Sequence, residues 1–184
     1  MDKLKENISF FAKWAYCYDW PIFGSLRWLQ RETLKEIAKE KISRGTKILD
    51  AACGTGYNLQ WSAAHFPDAQ LFGVDLSPAM LARAKKKLRG KNVNLQLASI
   101  HHLPFKDGQF DVVVCTSAFH HFPNQLGALQ EMKRVLKERG VLLLADEYYF
   151  GLKWLLKAIE PGHTKMNSKE EFQERKAEVD NDIL

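Results

Sequence analysis

Cysteine is scarce and unpaired in this chain. Cys17, Cys53 and Cys115 stand apart, with no Cys-x-x-Cys pair, which excludes a disulfide framework and the common zinc and dithiol motifs and fits a reducing cytoplasm. Long apolar runs are missing too: none approaches the ~20 residues that cross a bilayer, so no membrane span is expected. The opening Met1-Asp2-Lys3-Leu4-Lys5-Glu6 mixes charges and lacks the basic start and apolar stretch of a secretory peptide. There is no internal repeat, low-complexity tract or inter-domain linker. Nor does one charge sign dominate. The 27 Lys+Arg against 22 Asp+Glu leave a formal +5, which favours solubility and only weakly suggests an anionic partner.

What is present suits one globular domain. The 184 residues are 46% hydrophobic and 27% charged; domains run to roughly 150 residues, and a chain of this size buries about 70% of its unfolded surface. A single domain over 1–184 is expected, with a helical lead (1–45), a core (46–147) and a short helical C-terminal part (148–184). Leu26, Leu29, Leu34 and Ile37 recur at helical spacing after Ser25, a candidate N-cap, and predict a helix over 26–41. Ahead of it lie Phe10, Phe11, Trp14, Tyr16, Tyr18, Trp20 and Phe23, read as a helix packing its rings on the domain or as a lid over a substrate. Strands over 47–49, 70–74, 93–97, 111–115 and 141–145 then interleave with helices over 58–65, 78–88 and 125–136. Such alternation implies right-handed βαβ crossovers and an α/β fold, a Rossmann-like parallel sheet with helices on both faces. Ligands of such sheets bind beyond the strands' carboxyl ends. The run Lys85-Lys86-Lys87, with Arg89 and Lys91, falls at the end of the 78–88 helix, where cations suit the negative end of the helix dipole. No aromatic residues are interleaved with it to stack on bases, so a nucleic-acid partner is not expected.

The stretch Ile48-Leu49-Asp50-Ala51-Ala52-Cys53-Gly54-Thr55-Gly56-Tyr57 is a strand ending in an acid, then a small-residue turn opening a helix. Such a turn lets a ligand lie against the backbone; a tight turn that binds nothing is the plain alternative. A phosphate loop would end in Gly-Lys-Ser/Thr, but Tyr57 and Asn58 follow Gly56. The dinucleotide fingerprint needs a small residue at position 59, which is Leu. A second acid, Asp75, ends the second strand, where a carboxylate can accept both hydroxyls of a ribose. The ligand these residues suggest is a nucleoside without phosphates. Ser77-Pro78 also makes a good helix start.

With these motifs in hand, the chain resembles a class I S-adenosylmethionine-dependent methyltransferase, and is most similar to the small-molecule branch holding the ubiquinone and menaquinone C-methyltransferases. The resemblance rests on 48–56, 72–81, Leu103-Pro104-Phe105-Lys106-Asp107-Gly108-Gln109-Phe110-Asp111, Ser117-Ala118-Phe119-His120-His121-Phe122, and Glu131 with Arg134-Val135-Leu136-Lys137. It implies that Asp50, Ala52, Cys53, Gly54 and Gly56 form the turn facing the methionine part of S-adenosyl-L-methionine. Asp75 would hold the ribose and Leu76 the adenine. Ser99 and Ile100 would stand in the third motif, Thr116 near the methionine end, and Tyr18 in a segment that closes over the cofactor or merely packs. Two departures stand out: Ala52 replaces a glycine, crowding the ligand if its φ is positive, and Ser99 replaces an acid, giving a neutral hydrogen bond about half as strong. Both imply weaker cofactor binding.

The implied reaction is in-line methyl transfer to a small-molecule acceptor, in which alignment alone supplies ~7–11 kcal/mol. A general base is needed only where the accepting atom carries a proton. His120 and His121 are the candidates after the fourth strand, histidine's ordinary pKa near 6.5 suiting the task; Asp146, Glu147, Tyr148 and Tyr149 follow the fifth. His101 and His102 lie in a loop, and Cys53 reads as a small filler. No metal site is expected. After 141–145 the pattern suggests helices near 152–159 and behind the capping box Ser168-Lys169-Glu170-Glu171, so the family's C-terminal hairpin is expected to be missing and the sheet to stop at five strands. The open apolar edge Val141-Leu142-Leu143-Leu144 then implies a shortened chain, a homodimer covering it, or a degenerate relative that binds cofactor or a protein partner without catalysis.

Overall fold

A computed structural model describes residues 2–19, 24–148, 152–159 and 164–166. The elements run α1 (Asp2–Trp14), α2 (Gly24–Ala38), β1 (Lys47–Ala51), α3 (Tyr57–His65), β2 (Gln70–Asp75), α4 (Pro78–Lys87), β3 (Val93–Leu97), β4 (Phe110–Thr116), a 3-10 turn (Phe119–His121), α5 (Gln125–Val135), β5 (Leu136–Tyr148), β6 (Leu152–Ile159) and β7 (Thr164–Met166). The strands order β3-β2-β1-β4-β5-β6-β7, and β1 to β5 are parallel. The fold is the Rossmann-like α/β sheet that the alternation implies.

Strand periodicity divides the core into two layers. Ile48, Val112, Val114 and Leu143 face a cluster completed by Leu34, Ile37, Leu59 and Leu81. Their neighbours Leu49, Val113, Cys115, Leu142 and Leu144 face the opposite cluster with Met132 and Val135, because successive strand residues point to opposite faces. Leu59, too large for a dinucleotide turn, is accommodated because residue 73 has no side chain: a Cβ there would stand 2.5 Å from Leu59 Cδ1. Ser77 caps α4 through its Oγ, which accepts from Met80 N–H, with Pro78 at the first helical position. α2 ends at Ala38, where the Glu36 and Ile37 carbonyls take shorter-range bonds from Lys39 and Glu40.

The C-terminal expectation needs correction. Residues 152–159 form a strand, not a helix: β6 pairs antiparallel with β5, from Val141 opposite Ile159 to Tyr148 opposite Leu152, and β7 pairs antiparallel with β6. The run Leu-Lys-Trp-Leu-Leu-Lys-Ala-Ile satisfies both templates, apolar at 152, 155, 156 and 159 for a helix and at 152, 154, 156 and 158 for a strand. The unpaired N–H and C=O groups along β5 decide between them. The sheet does not stop at five strands, and the open-edge argument for a homodimer loses its premise. The helix expected behind Ser168, and Trp20, Phe23 and Tyr149, lie outside the described residues.

Candidate functional site

At the carboxyl ends of β1, β2 and β4 the chain leaves a cleft of about 790 Å³, its open mouth included. Its floor is the turn after β1. This turn is built from left-handed residues, with Ala52 at φ 66°, Gly54 at 53° and Gly56 at 78°, and is pinned by Cys53 N–H donating to the Val74 carbonyl at 2.8 Å. The Asp75 carboxylate joins two loops: Oδ2 accepts from Gly54 N–H and Oδ1 from Ser77 N–H, each at 2.8 Å. Every carboxylate oxygen has a second acceptor position, so Asp75, in the cleft wall, can still receive two hydroxyls. Burial pushes its carboxyl pKa up, and these backbone bonds oppose the shift.

Behind the turn sits a second carboxylate in an unusual state. Asp50 is 2% exposed, and neither of its oxygens has a hydrogen-bond partner. Desolvation raises its pKa from 3.8 to about 7; the Asn58 side chain pulls the other way and the Asp75 charge adds to the rise. Asn58 itself donates to Thr116 Oγ1 at 3.0 Å, leaving its own Oδ1 unpartnered, as is Ser117 Oγ. Four buried oxygens without a partner, on three residues, gather at the end of β1, the start of α3 and just past β4. Burial together with the charges of Asp50 and Asp75 pushes the Cys53 thiol well up, so this cysteine is a filler and not a thiolate.

Of the residues singled out from sequence, Tyr18, Ala52, Gly54, Asp75, Leu76, Ser99, Ile100 and Thr116 all border the cleft. Asp50, Cys53 and Gly56 stand behind its surface. The two histidines separate. His121 lines the cleft, its ring edge-on to Phe11 at 4.9 Å and its carbonyl accepting from Asn7 Nδ2 at 2.9 Å. His120 lies outside the wall and is held by Asp146: Nδ1 is 2.6 Å from Oδ1, and the His120 backbone N–H donates to Oδ2 at 2.7 Å. Asp146 is 1% exposed. The sequence offers a lid as one reading of the aromatic lead that includes Phe11, but does not single out Asn7 and Ile8, which roof the cleft with it from α1. His101, which the sequence places in a loop, borders the cleft as well. Tyr18 is positioned by its neighbour Asp19, which accepts from Thr55 Oγ1 at 2.8 Å and pairs with Lys87 Nζ at 2.8 Å. Among the described residues no group of three His, Cys, Asp or Glu could hold a metal ion, and no helix is long and apolar enough to cross a membrane.

The positive φ of Ala52 carries an expected result. A left-handed non-glycine residue costs ~1–2 kcal/mol, while glycine's extra unfolded-state freedom costs about 0.4–1 kcal/mol. Ala52→Gly therefore stabilises the fold by up to about 1 kcal/mol in urea titration and tightens ligand binding in the cleft. A loss of stability would show that the turn is not strained by this methyl.

Comparison with known proteins agrees with this geometry. A family model described as a methyltransferase domain matches residues 49–144. Demethylmenaquinone methyltransferase of Staphylococcus aureus (strain JH9) is 38% identical over 115 residues, 61% of this chain and 48% of that protein. The chain thus spans about half the length of the curated relatives it matches. Among solved structures, the YcgJ protein of Bacillus subtilis superposes with a TM-score of 0.58 at 31% identity, over 64% of this chain and 51% of that one. A SAM-dependent methyltransferase of Aquifex aeolicus gives 0.56 at 25% identity, over 64% and 63%.

Proposed function

The chain belongs to the class I methyltransferase family, and from that premise we propose that it transfers a methyl group from S-adenosyl-L-methionine to a small-molecule acceptor. The observation that carries this reading is the pairing of a left-handed small-residue turn with the two-loop carboxylate of Asp75 on one cleft. The residues present fit the cofactor: Asp75 has acceptor capacity left for a ribose diol, Leu76, Ile100 and Met80 supply an apolar slot for adenine, and the unpartnered acceptors around Asp50 suit an ammonium group. When bound, S-adenosylmethionine supplies an electrophilic methyl on a sulfonium. The protein's part is to orient, to exclude water and to handle any proton. Ile8, Phe11, Phe122 and Pro123 give the cleft an apolar side that suits an apolar acceptor, in keeping with the demethylmenaquinone named for the Staphylococcus relative. The His120–Asp146 pair is the group equipped to take a proton from an acceptor that reaches past His121, whose ring lines the cleft 3.9 Å from that of His120: with Nδ1–H donating to the carboxylate, Nε2 is left as an acceptor.

Isothermal titration tests the cofactor reading. S-adenosylhomocysteine should bind at submillimolar concentration, and Asp75→Ala should weaken it about 10²–10⁴-fold, two charge-assisted hydrogen bonds being worth roughly 1.5–3 kcal/mol each. No binding by the wild type would defeat the proposal. Radiolabelled methyl transfer over a panel of apolar hydroxylated acceptors then tests catalysis separately.

A further inference from the structure

Among the described residues, four large apolar side chains are exposed: Phe10 at 47%, Trp14 at 37%, Tyr16 at 74% and Leu97 at 59%. Three of them belong to one stretch beside the cleft: the Phe10 ring lies 6.5 Å from that of the cleft residue His121 and 5.5 Å from that of Trp14, and Tyr16 stands two before the cleft residue Tyr18; Leu97 ends β3. Exposed apolar surface gathered in one place marks an interaction site. Lys5 and Lys13 are exposed on the same helix, with Glu6 the exposed acid between them.

The charge next to this ledge is one-sided. Between Asp75 and Asp107 the chain carries Arg83, Lys85, Lys86, Lys87, Arg89, Lys91 and Lys106 and no acid. The fold sets this segment against α1. α1 packs on α4, Arg83 Nη2 donates to the Tyr16 carbonyl at 2.9 Å, and its guanidinium sits 5.4 Å from the Tyr16 ring centre. Lys87 is engaged with Asp19 and Thr55, whereas Lys85, Lys86, Arg89 and Lys91 are exposed. The rings that the lysine run lacks in sequence are thus supplied by α1 and the turn after it, about seventy residues earlier.

We infer that the outer face of α1 and the basic end of α4 form a docking surface for an anionic lipid bilayer, with Phe10, Trp14 and Tyr16 at the headgroup level. A short helix with rings on its outer face and cations beside them lies in the interface plane, and the cations add attraction to anionic lipid. The inner face of the same helix roofs the cleft, so docking brings the cleft mouth to the lipid, where an apolar acceptor partitions. Single-stranded RNA is the poorer fit. Phe10 and Trp14 pack on each other and leave no separate platforms for successive bases. The consequence for the acceptor rests on the methyltransferase reading. The docking itself does not, and it is measured with neither cofactor nor acceptor present.

The test is co-flotation of the full chain with vesicles of mixed phosphatidylcholine and phosphatidylglycerol, against pure phosphatidylcholine, at low and high salt. Binding is expected to the anionic vesicles only, weakening steeply with salt. Lys85→Glu/Lys86→Glu/Arg89→Glu should lower it about 100-fold or more, each cation being worth roughly a factor of five, and Phe10→Ser/Trp14→Ser about 10-fold. Unchanged thermal melting shows that the variants are folded. The inference is overturned by equal binding to neutral vesicles, by no binding to either, or by binding that both variants retain. It is equally overturned if a single-stranded RNA binds where vesicles do not, or if sedimentation shows a dimer that Phe10→Ser/Trp14→Ser dissolves.

Discussion

His120→Ala is expected to lower kcat/KM by about 10²–10⁴-fold for an acceptor that carries a proton, the range that general-base catalysis supplies, with S-adenosylhomocysteine affinity unchanged. The geometry makes the expectation specific. Asp146 receives both the backbone N–H and Nδ1–H of His120, so the carboxylate fixes ring orientation and tautomer together, and Asp146 is buried to 1%. Asp146→Asn retains one acceptor oxygen for two donors. Either the backbone N–H or the imidazole must lose its partner, and a ring turned to the other tautomer presents Nε2–H and can accept no proton. Asp146 is thus a positioning residue, and Asp146→Asn should cost most of what His120→Ala costs. In the double variant the losses should not add, as for groups acting as one unit. Additive losses, or an equal loss with a thiolate acceptor that needs no deprotonation, would show the pair to be structural.

The pairing of His120 with Asp146 also shows where the sequence stops informing. Both residues were named as candidates from their places after the fourth and fifth strands, but the contact depends on register. Thr116 lies opposite Ala145, and Ser117 N–H donates to the Ala145 carbonyl at 2.8 Å, which brings the 119–121 turn over the end of β5. Runs such as Val112-Val113-Val114 announce a strand buried on both faces, and they fix the sheet without fixing what meets at its rim. The nucleoside side of the cleft was legible because its residues sit in contiguous motifs: the turn of 50–56, Asp75 with Leu76, and Ser99 with Ile100. The roof was not. Helical periodicity in 2–14 reports that α1 has an apolar stripe, but not that Asn7, Ile8 and Phe11 close the cleft while Phe10 and Trp14 stay outside. β6 was misread because its apolar pattern fits two periods and the deciding term is the edge it covers.

The buried carboxyl of Asp50 makes the fold sensitive to pH in a direction opposite to that of a salt-bridged acid. Its pKa stands at about 7 in the folded chain against 3.8 for an exposed carboxyl. Between those values the folded state binds more protons than the unfolded one, so unfolding free energy falls as pH rises. The stability tied to the protonated carboxyl is fully present below about 3.8 and is lost as pH climbs through about 7. At about 1.4 kcal/mol for each unit of separation, the full span is about 4 kcal/mol, of which about 3 kcal/mol falls between pH 5 and pH 8. Asp50→Asn keeps the shape and removes the titration. Urea titrations should therefore find the variant more stable than the wild type at pH 8 by about 3 kcal/mol more than at pH 5. A gap that stays constant across that range would mean that Asp50 does not change protonation on folding.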